Sequence, residues 1–267
     1  MYQAHWGLDE SPFRTRIDPR FFYQSPTHEE ALARLHFLVE HRRRLGLLLG
    51  PSGSGKSLLL EILTAELRGR GLPVARLGLV GLDRAELLDS LAGELGTPPR
   101  NGLSVRQLWR VVTDRLSEYR YQQVNTVLIF DDVDRADDEC LAMITRLVQF
   151  DPGPESRLTV VLGARCDRVA RLGAALLELV ELRMDIEPWE PGDTQAYVQR
   201  SLARAGRATP LFAEPAVERL HELAQGIPRR VTQLADLALL AGAGRALDQI
   251  DAETVESVYH ELGVIEV

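Results

Sequence analysis

The sequence predicts an α/β fold: a three-layer core built on a five-stranded parallel sheet, followed by a small all-helical domain. Three observations predict it. Strand-sized apolar runs, such as Leu45–Leu49, Thr126–Phe130 and Leu158–Leu162, are continuous rather than alternating, as buried parallel strands are. Stretches with helical spacing separate them, which requires crossover connections on both faces of one sheet. Beyond Pro188-Trp189-Glu190-Pro191-Gly192 only helical patterns remain.

In chain order, residues 1–24 are rich in aromatics and proline and read as an irregular arm. Ser25-Pro26 reads as a helix cap followed by proline at the first helical position, with Thr27 and Glu30 as a competing capping box. Leu32, Leu35 and Val39 carry the helix to about residue 42, where Arg42-Arg43-Arg44 suits a helix C-terminus. Leu45–Leu49 is the first strand. Helix is expected at 56–69, strand at Val74–Leu79, helix at 84–95 and a turn at Gly96-Thr97-Pro98-Pro99. Ser104 caps a helix reaching about Tyr121. The third strand, Thr126–Phe130, runs into Asp131 and Asp132. Helix at 137–149, strand at Leu158–Leu162, helix at 168–179 and strand at Leu182–Ile186 complete the core. The last helices are expected at about 193–205, 214–225, 229–242 and 251–262, with Asp193 and Asp251 as caps. The resulting division is an arm at 1–24, an α/β core at 25–189 and a helical lid at 190–267.

The chain of 267 residues has a net charge of −8, 45% hydrophobic and 26% charged residues, an ordinary balance for a globular protein. No apolar run approaches the roughly 20 residues that span a bilayer, and the N-terminus lacks a basic stretch leading into an apolar one. Cys140 and Cys166 show no paired spacing. A cytoplasmic protein with two reduced thiols, not inserted in a membrane, is expected.

Chemistry centres on Gly50-Pro51-Ser52-Gly53-Ser54-Gly55-Lys56-Ser57, which fits G-x-x-x-x-G-K-[ST] with a strand before and a helix after. Its glycines let backbone N–H groups turn onto phosphate oxygens, and the following helix adds its positive dipole end. Lys56 is expected to reach the β- and γ-phosphates of ATP, and Ser57 to place its hydroxyl on Mg2+. Of 31 lysines and arginines, Lys56 is the only lysine. A compact ammonium fits inside a tight loop of backbone groups where a forked guanidinium does not. Asp131, delivered to the carboxyl edge of its strand, is the expected Mg2+-linked acid. Asp132 is expected to orient the attacking water, although aspartate is one methylene shorter than the glutamate common there, a displacement of about 1 Å. Asp134, Asp137 and Asp138 read as caps and solvated charge. Gly226-Ile227-Pro228-Arg229-Arg230 breaks one helix and opens another, with two arginines opposing the dipole of the new helix. Arg229 is the candidate to fold onto the γ-phosphate. Arg183 is a candidate arginine finger toward a neighbouring subunit's nucleotide.

The sequence resembles the AAA+ ATPases of general secretion pathway protein A type (ExeA/GspA and MshM-like). The resemblance rests on MYQAHWGLDESPF, DPRFFYQSPTHEEALARL, GPSGSGKS, VLIFDDVD, YVQRSLARAG, LFAEPAVERL and GIPRRVTQLADLALLAG. It implies an ATP-binding P-loop core, a C-terminal helical lid, and a homo-oligomer with nucleotide at subunit interfaces. It implies nucleotide contacts along the loop and at Leu58 after it, Asp131 as the Mg2+-linked acid, Asp132 as the catalytic position and Arg229 as the lid's sensor arginine. It also brings the arm around Phe22–Ser25, Tyr23 included, near the adenine. Gly163-Ala164-Arg165 offers no Asn, Thr or Ser as a first sensor. Relatives often continue into a membrane segment and a peptidoglycan-binding region; these residues end after the lid, so a direct role in secretin assembly is not expected.

The expected activity is ATP hydrolysis coupled to assembly or regulation of a protein partner. A second reading is a DNA-associated ATPase like the transposition regulators TniB and TnsC; the charge of −8 and the lack of a basic tail weigh against it. A third is a switch that binds ATP and hydrolyses it slowly, motivated by Asp132.

Overall fold

The computed structural model describes residues 2–13, 22–97 and 102–263. Part of the DPRFF stretch and the Pro98-Pro99 turn lie outside them. The described elements are helices α1 (Tyr2–Trp6), α2 (Pro26–Glu40), α3 (Lys56–Gly69), α4 (Arg84–Glu94), α5 (Val105–Tyr121), α6 (Asp138–Val148), α7 (Ala174–Leu177), α8 (Pro191–Arg204), α9 (Glu214–Ala224), α10 (Pro228–Gly244) and α11 (Ala252–Gly263). The strands are β1 (Leu45–Gly50), β2 (Val74–Gly78), β3 (Thr126–Asp131), β4 (Leu158–Arg165) and β5 (Leu182–Asp185). They form two compact units. One holds Pro26–Pro51 and Lys56–Ile186; the other holds the arm up to Ser25, Ser52–Gly55 and the chain from Glu187 onward.

The first unit is a parallel sheet in the order β2-β3-β4-β1-β5. Every residue of β1 and β3 is buried, which is why their sequences are unbroken apolar runs. Leu47, Leu49, Leu128, Phe130, Val160 and Leu162 pack with Leu88, Val112 and Ile144 of the flanking helices in one core. Local chemistry fixes the helix starts. Asp83 and Glu86 form a capping box on α4, and Ser104 and Gln107 form one on α5. Asp137 caps α6 by accepting from the Cys140 N–H at 2.7 Å.

The second unit is helical. Trp6, Phe13, Trp189, Tyr197 and Leu239 share its core, and the Trp6 indole N–H donates to the Leu239 carbonyl at 2.8 Å. The arm, expected to be irregular, therefore contains a helix whose tryptophan is held by a helix more than 200 residues away. That partner is invisible to local sequence patterns. Other expectations are also corrected. β4 continues to Arg165, past Leu162. The helix expected at 168–179 is a 3₁₀ segment, Cys166–Leu172, followed by the short α7. α8 starts at Pro191 rather than 193. Asp193 is not its cap but sits in its first turn, accepting from the Glu190 N–H at 3.1 Å.

Gly226 shows what fixes the entry to α10. Its φ is +65°, and a Cβ there would lie 2.3 Å from the Trp189 carbonyl oxygen. The same two residues are joined by a 2.8 Å hydrogen bond from the Trp189 N–H to the Gly226 carbonyl. Gly226→Ala is expected to cost about 2–4 kcal/mol in chemical denaturation, because it adds backbone strain and a clash with main chain. Gly71→Ala shares the positive φ, +79°, but would meet nothing within 4 Å. It should cost about 1 kcal/mol. Equal losses at the two positions would assign the whole effect to φ.

Candidate functional site

The loop after β1 leaves the carboxyl edge of the sheet, the edge at which open α/β sheets bind ligands. α3 begins at Lys56 immediately after it. Lys56 is 9% exposed, and its ammonium donates to the Gly50 carbonyl at 2.8 Å and the Pro51 carbonyl at 2.9 Å. Burial lowers its pKa, while Asp131, Cys166, Asp132 and Asp134 pull it back up. The neck of the loop thus closes around a point charge with its stem buried.

Asp131 ends β3 and is 5% exposed. One carboxylate oxygen, Oδ1, accepts from the Asp132 N–H at 3.0 Å; the other faces Arg76 of β2 at 3.5 Å. Gly163 of β4 makes room for it, since a Cβ there would lie 2.8 Å from Asp131 Oδ1. β4 thus seats the carboxylate by having no side chain at Gly163. Arg76 also donates to the Ser57 carbonyl at 3.0 Å, so Ser57 and Asp131 border the same guanidinium. A buried carboxylate beside a serine is a hard-oxygen donor set suited to Mg2+.

Asp132 is half-buried, with φ 55° and ψ 37° in the left-handed region. Aspartate tolerates that region better than most residues. Burial raises its pKa, with the Asp131 and Asp134 charges adding to the rise and Arg135 and Lys56 opposing it. Asp134 is not solvated charge. It is 1% exposed, and its Oδ1 accepts from the Arg165 N–H at 3.0 Å, tying the turn after β3 to the end of β4.

The other candidates sit as follows. In the helical unit, the Arg229 N–H donates to the Gly53 carbonyl at 3.1 Å. This satisfies a free amide in the first turn of α10. Gly53, at φ +83°, is pressed against that turn; a Cβ would lie 2.9 Å from Arg229 Cβ. The Arg229 side chain is exposed, and Arg230 reaches Gln225 at 3.3 Å. Tyr23 packs its ring edge-on to Trp189 with centroids 5.3 Å apart and donates to Asp193 at 3.2 Å. Arg183 is exposed on β5 and forks onto Asp185, two residues along the same strand face, at 2.8–3.2 Å. Sequence reasoning missed Arg76, Asp134 and Gly163. The only signal for Arg76 was a charge inside an otherwise apolar strand.

Fold and loop together are those of a P-loop NTPase core. The family model described as "AAA domain" matches residues 39–165. The chain is similar to General secretion pathway protein A of Aeromonas hydrophila, 27% identical over 254 residues that cover 94% of this chain and 46% of that one. It thus spans about half the length of that relative. Among solved structures, it is similar to Cdc6p from Pyrobaculum aerophilum, with TM-score 0.71 and 18% identity over 97% of this chain and 70% of that one. It is also similar to the Aeropyrum pernix ORC1 protein solved with DNA, with TM-score 0.66 and 21% identity over 89% of this chain and 66% of that one. At these identities the likeness is one of fold. Among the described residues no helix is long and apolar enough to cross a membrane.

Proposed function

We propose that the protein binds and hydrolyses ATP with Mg2+, and that its nucleotide state governs assembly with copies of itself and with a protein partner. The observation that carries this reading is the buried Lys56 ammonium at the loop neck, beside a cluster of carboxylates that includes Asp131. Lys56 and the loop amides would hold the phosphates, with Leu58 behind them. Ser57 and Asp131 would hold Mg2+, which when bound neutralises charge on the transferring phosphoryl group. Asp132 would orient the attacking water. The hydrogen bond from the Arg229 amide to Gly53 ties the start of α10 to the phosphate loop, which supports Arg229 as a nucleotide-sensing residue. Arg183 would serve a neighbouring subunit's nucleotide only after releasing Asp185. Tyr23 would border the adenine.

The test is mass determination in solution with Mg2+-ATP, with Mg2+-ADP and without nucleotide, alongside phosphate release. ATP-dependent growth in mass with phosphate release is expected. A mass indifferent to nucleotide would sink the assembly part. Salt-sensitive binding to duplex DNA under the same conditions would favour the DNA-associated reading instead.

A further inference from the structure

Arg76 borders both Ser57 and Asp131, the two residues proposed above to hold the cation. α3 presents Ser57 and Glu61 one turn apart on one face. β2 pairs with β3 so that Arg76 lies opposite Ile129, and Asp131 follows on the same strand face two residues on. The guanidinium of Arg76 fills the angle between helix and strands. One nitrogen donates to Glu61 at 2.5 Å; the other donates to the Ser57 carbonyl at 3.0 Å and lies 3.5 Å from Asp131 Oδ2. Its side chain is 21% exposed and that of Asp131 only 7%, so water screens the pair weakly.

We infer that Arg76 is a positioning residue that sets the cation threshold of the site: it is a resident positive charge on Asp131, and an arriving divalent cation binds against it. The inference rests on the reading of Ser57 and Asp131 as the cation-holding pair. It follows from charge and geometry. A divalent ion held through Asp131 would share that carboxylate with the guanidinium, and like charges beside one another in a poorly screened site repel. The Coulombic cost is moderated by Glu61, which offsets the charge of Arg76 from the far side. Arg76 therefore holds the Asp131 carboxylate and the first turn of α3 in place, and raises the Mg2+ concentration at which the site fills. A β2 residue that touches no expected phosphate would in this way tune nucleotide binding.

The experiment is a titration of Mg2+ at fixed fluorescent ATP analogue, read as bound nucleotide rather than turnover, together with thermal melting in EDTA. Arg76→Gln is expected to lower the half-saturating Mg2+ concentration at least about fivefold and to lower the melting temperature in EDTA. Arg76→Lys, which keeps the charge, should stay within about twofold of the native protein. Glu61→Gln, which unmasks the guanidinium, should raise the threshold about two- to threefold. If Arg76→Gln does not fold, Arg76→Met, which keeps the apolar stem and removes the charge, takes its place with the same expectation, and an unmoved or raised threshold there overturns the inference. A threshold unmoved or raised in Arg76→Gln, or unmoved in Glu61→Gln, overturns the inference while leaving the cation site standing. If the native protein binds the analogue equally well without Mg2+, the assignment of Ser57 and Asp131 fails and the inference falls with it.

Discussion

Lys56→Ala is expected to weaken ATP binding at least about 100-fold, the loss of about 2.7 kcal/mol or more of phosphate interaction, and to stop hydrolysis. Equilibrium binding of a fluorescent ATP analogue measures it. The reason is structural as well as electrostatic. The ammonium donates to the loop neck through the Gly50 and Pro51 carbonyls. Alanine leaves both carbonyls without that donor, at about 1–2 kcal/mol of stability. The sharper variant is Lys56→Arg, because this chain uses arginine for every other basic residue. A planar fork cannot place three tetrahedral N–H groups on two neighbouring carbonyls and a phosphate oxygen within a pocket that leaves Lys56 9% exposed. The Lys56→Arg variant is expected to lose at least about tenfold in affinity, on the order of 1.4 kcal/mol, with the fold intact by circular dichroism. Full binding by this variant would show that charge alone suffices, and that the single lysine has no chemical meaning.

What the sequence discloses, and what it withholds, divides along a physical line. Strands β1, β3 and β4 are legible because burial on both faces demands unbroken apolar runs. Ser104, Asp137 and Asp251 are legible as caps because a cap acts within three residues. The loop is legible because its glycines, lysine and serine are consecutive. The rest depends on residues that meet only after the sheet forms. Arg76 reads as a stray charge until β2 lies beside β3 and α3 covers both. Asp134 reads as surface charge until the end of β4 arrives with the Arg165 amide. Trp6 needs α10 to acquire its acceptor. The left-handed backbone at Asp132 carries only a weak local signature, since aspartate enters that region more readily than most residues but far less readily than glycine. Motif spacing finds the atoms that would touch phosphate; tertiary contact decides what holds those atoms.

That left-handed backbone shapes the second expectation. Asp132→Asn should keep nucleotide affinity within about threefold and reduce single-turnover hydrolysis at least about 100-fold, the scale of losing a positioned base. Asparagine suits the left-handed region as well as aspartate does, so the turn from β3 into the Val133–Arg135 3₁₀ segment should survive. It also removes a negative charge that sits half-buried beside Asp131 and Asp134, so stability at neutral pH should not fall. The companion variant separates length from backbone. If aspartate is merely too short, Asp132→Glu should speed hydrolysis. If the φ of 55° is the governing constraint, the longer side chain gains nothing and costs about 0.5–1 kcal/mol of strain. The geometry favours the second outcome: Asp132 hangs on a turn pinned on one side by its own N–H to Asp131, and on the other by Asp134 to Arg165. A site so pinned is tuned by its turn rather than by its reach. Hydrolysis surviving in Asp132→Asn would mean that another group orients the water, and rapid turnover by the native protein would end the slow-switch reading.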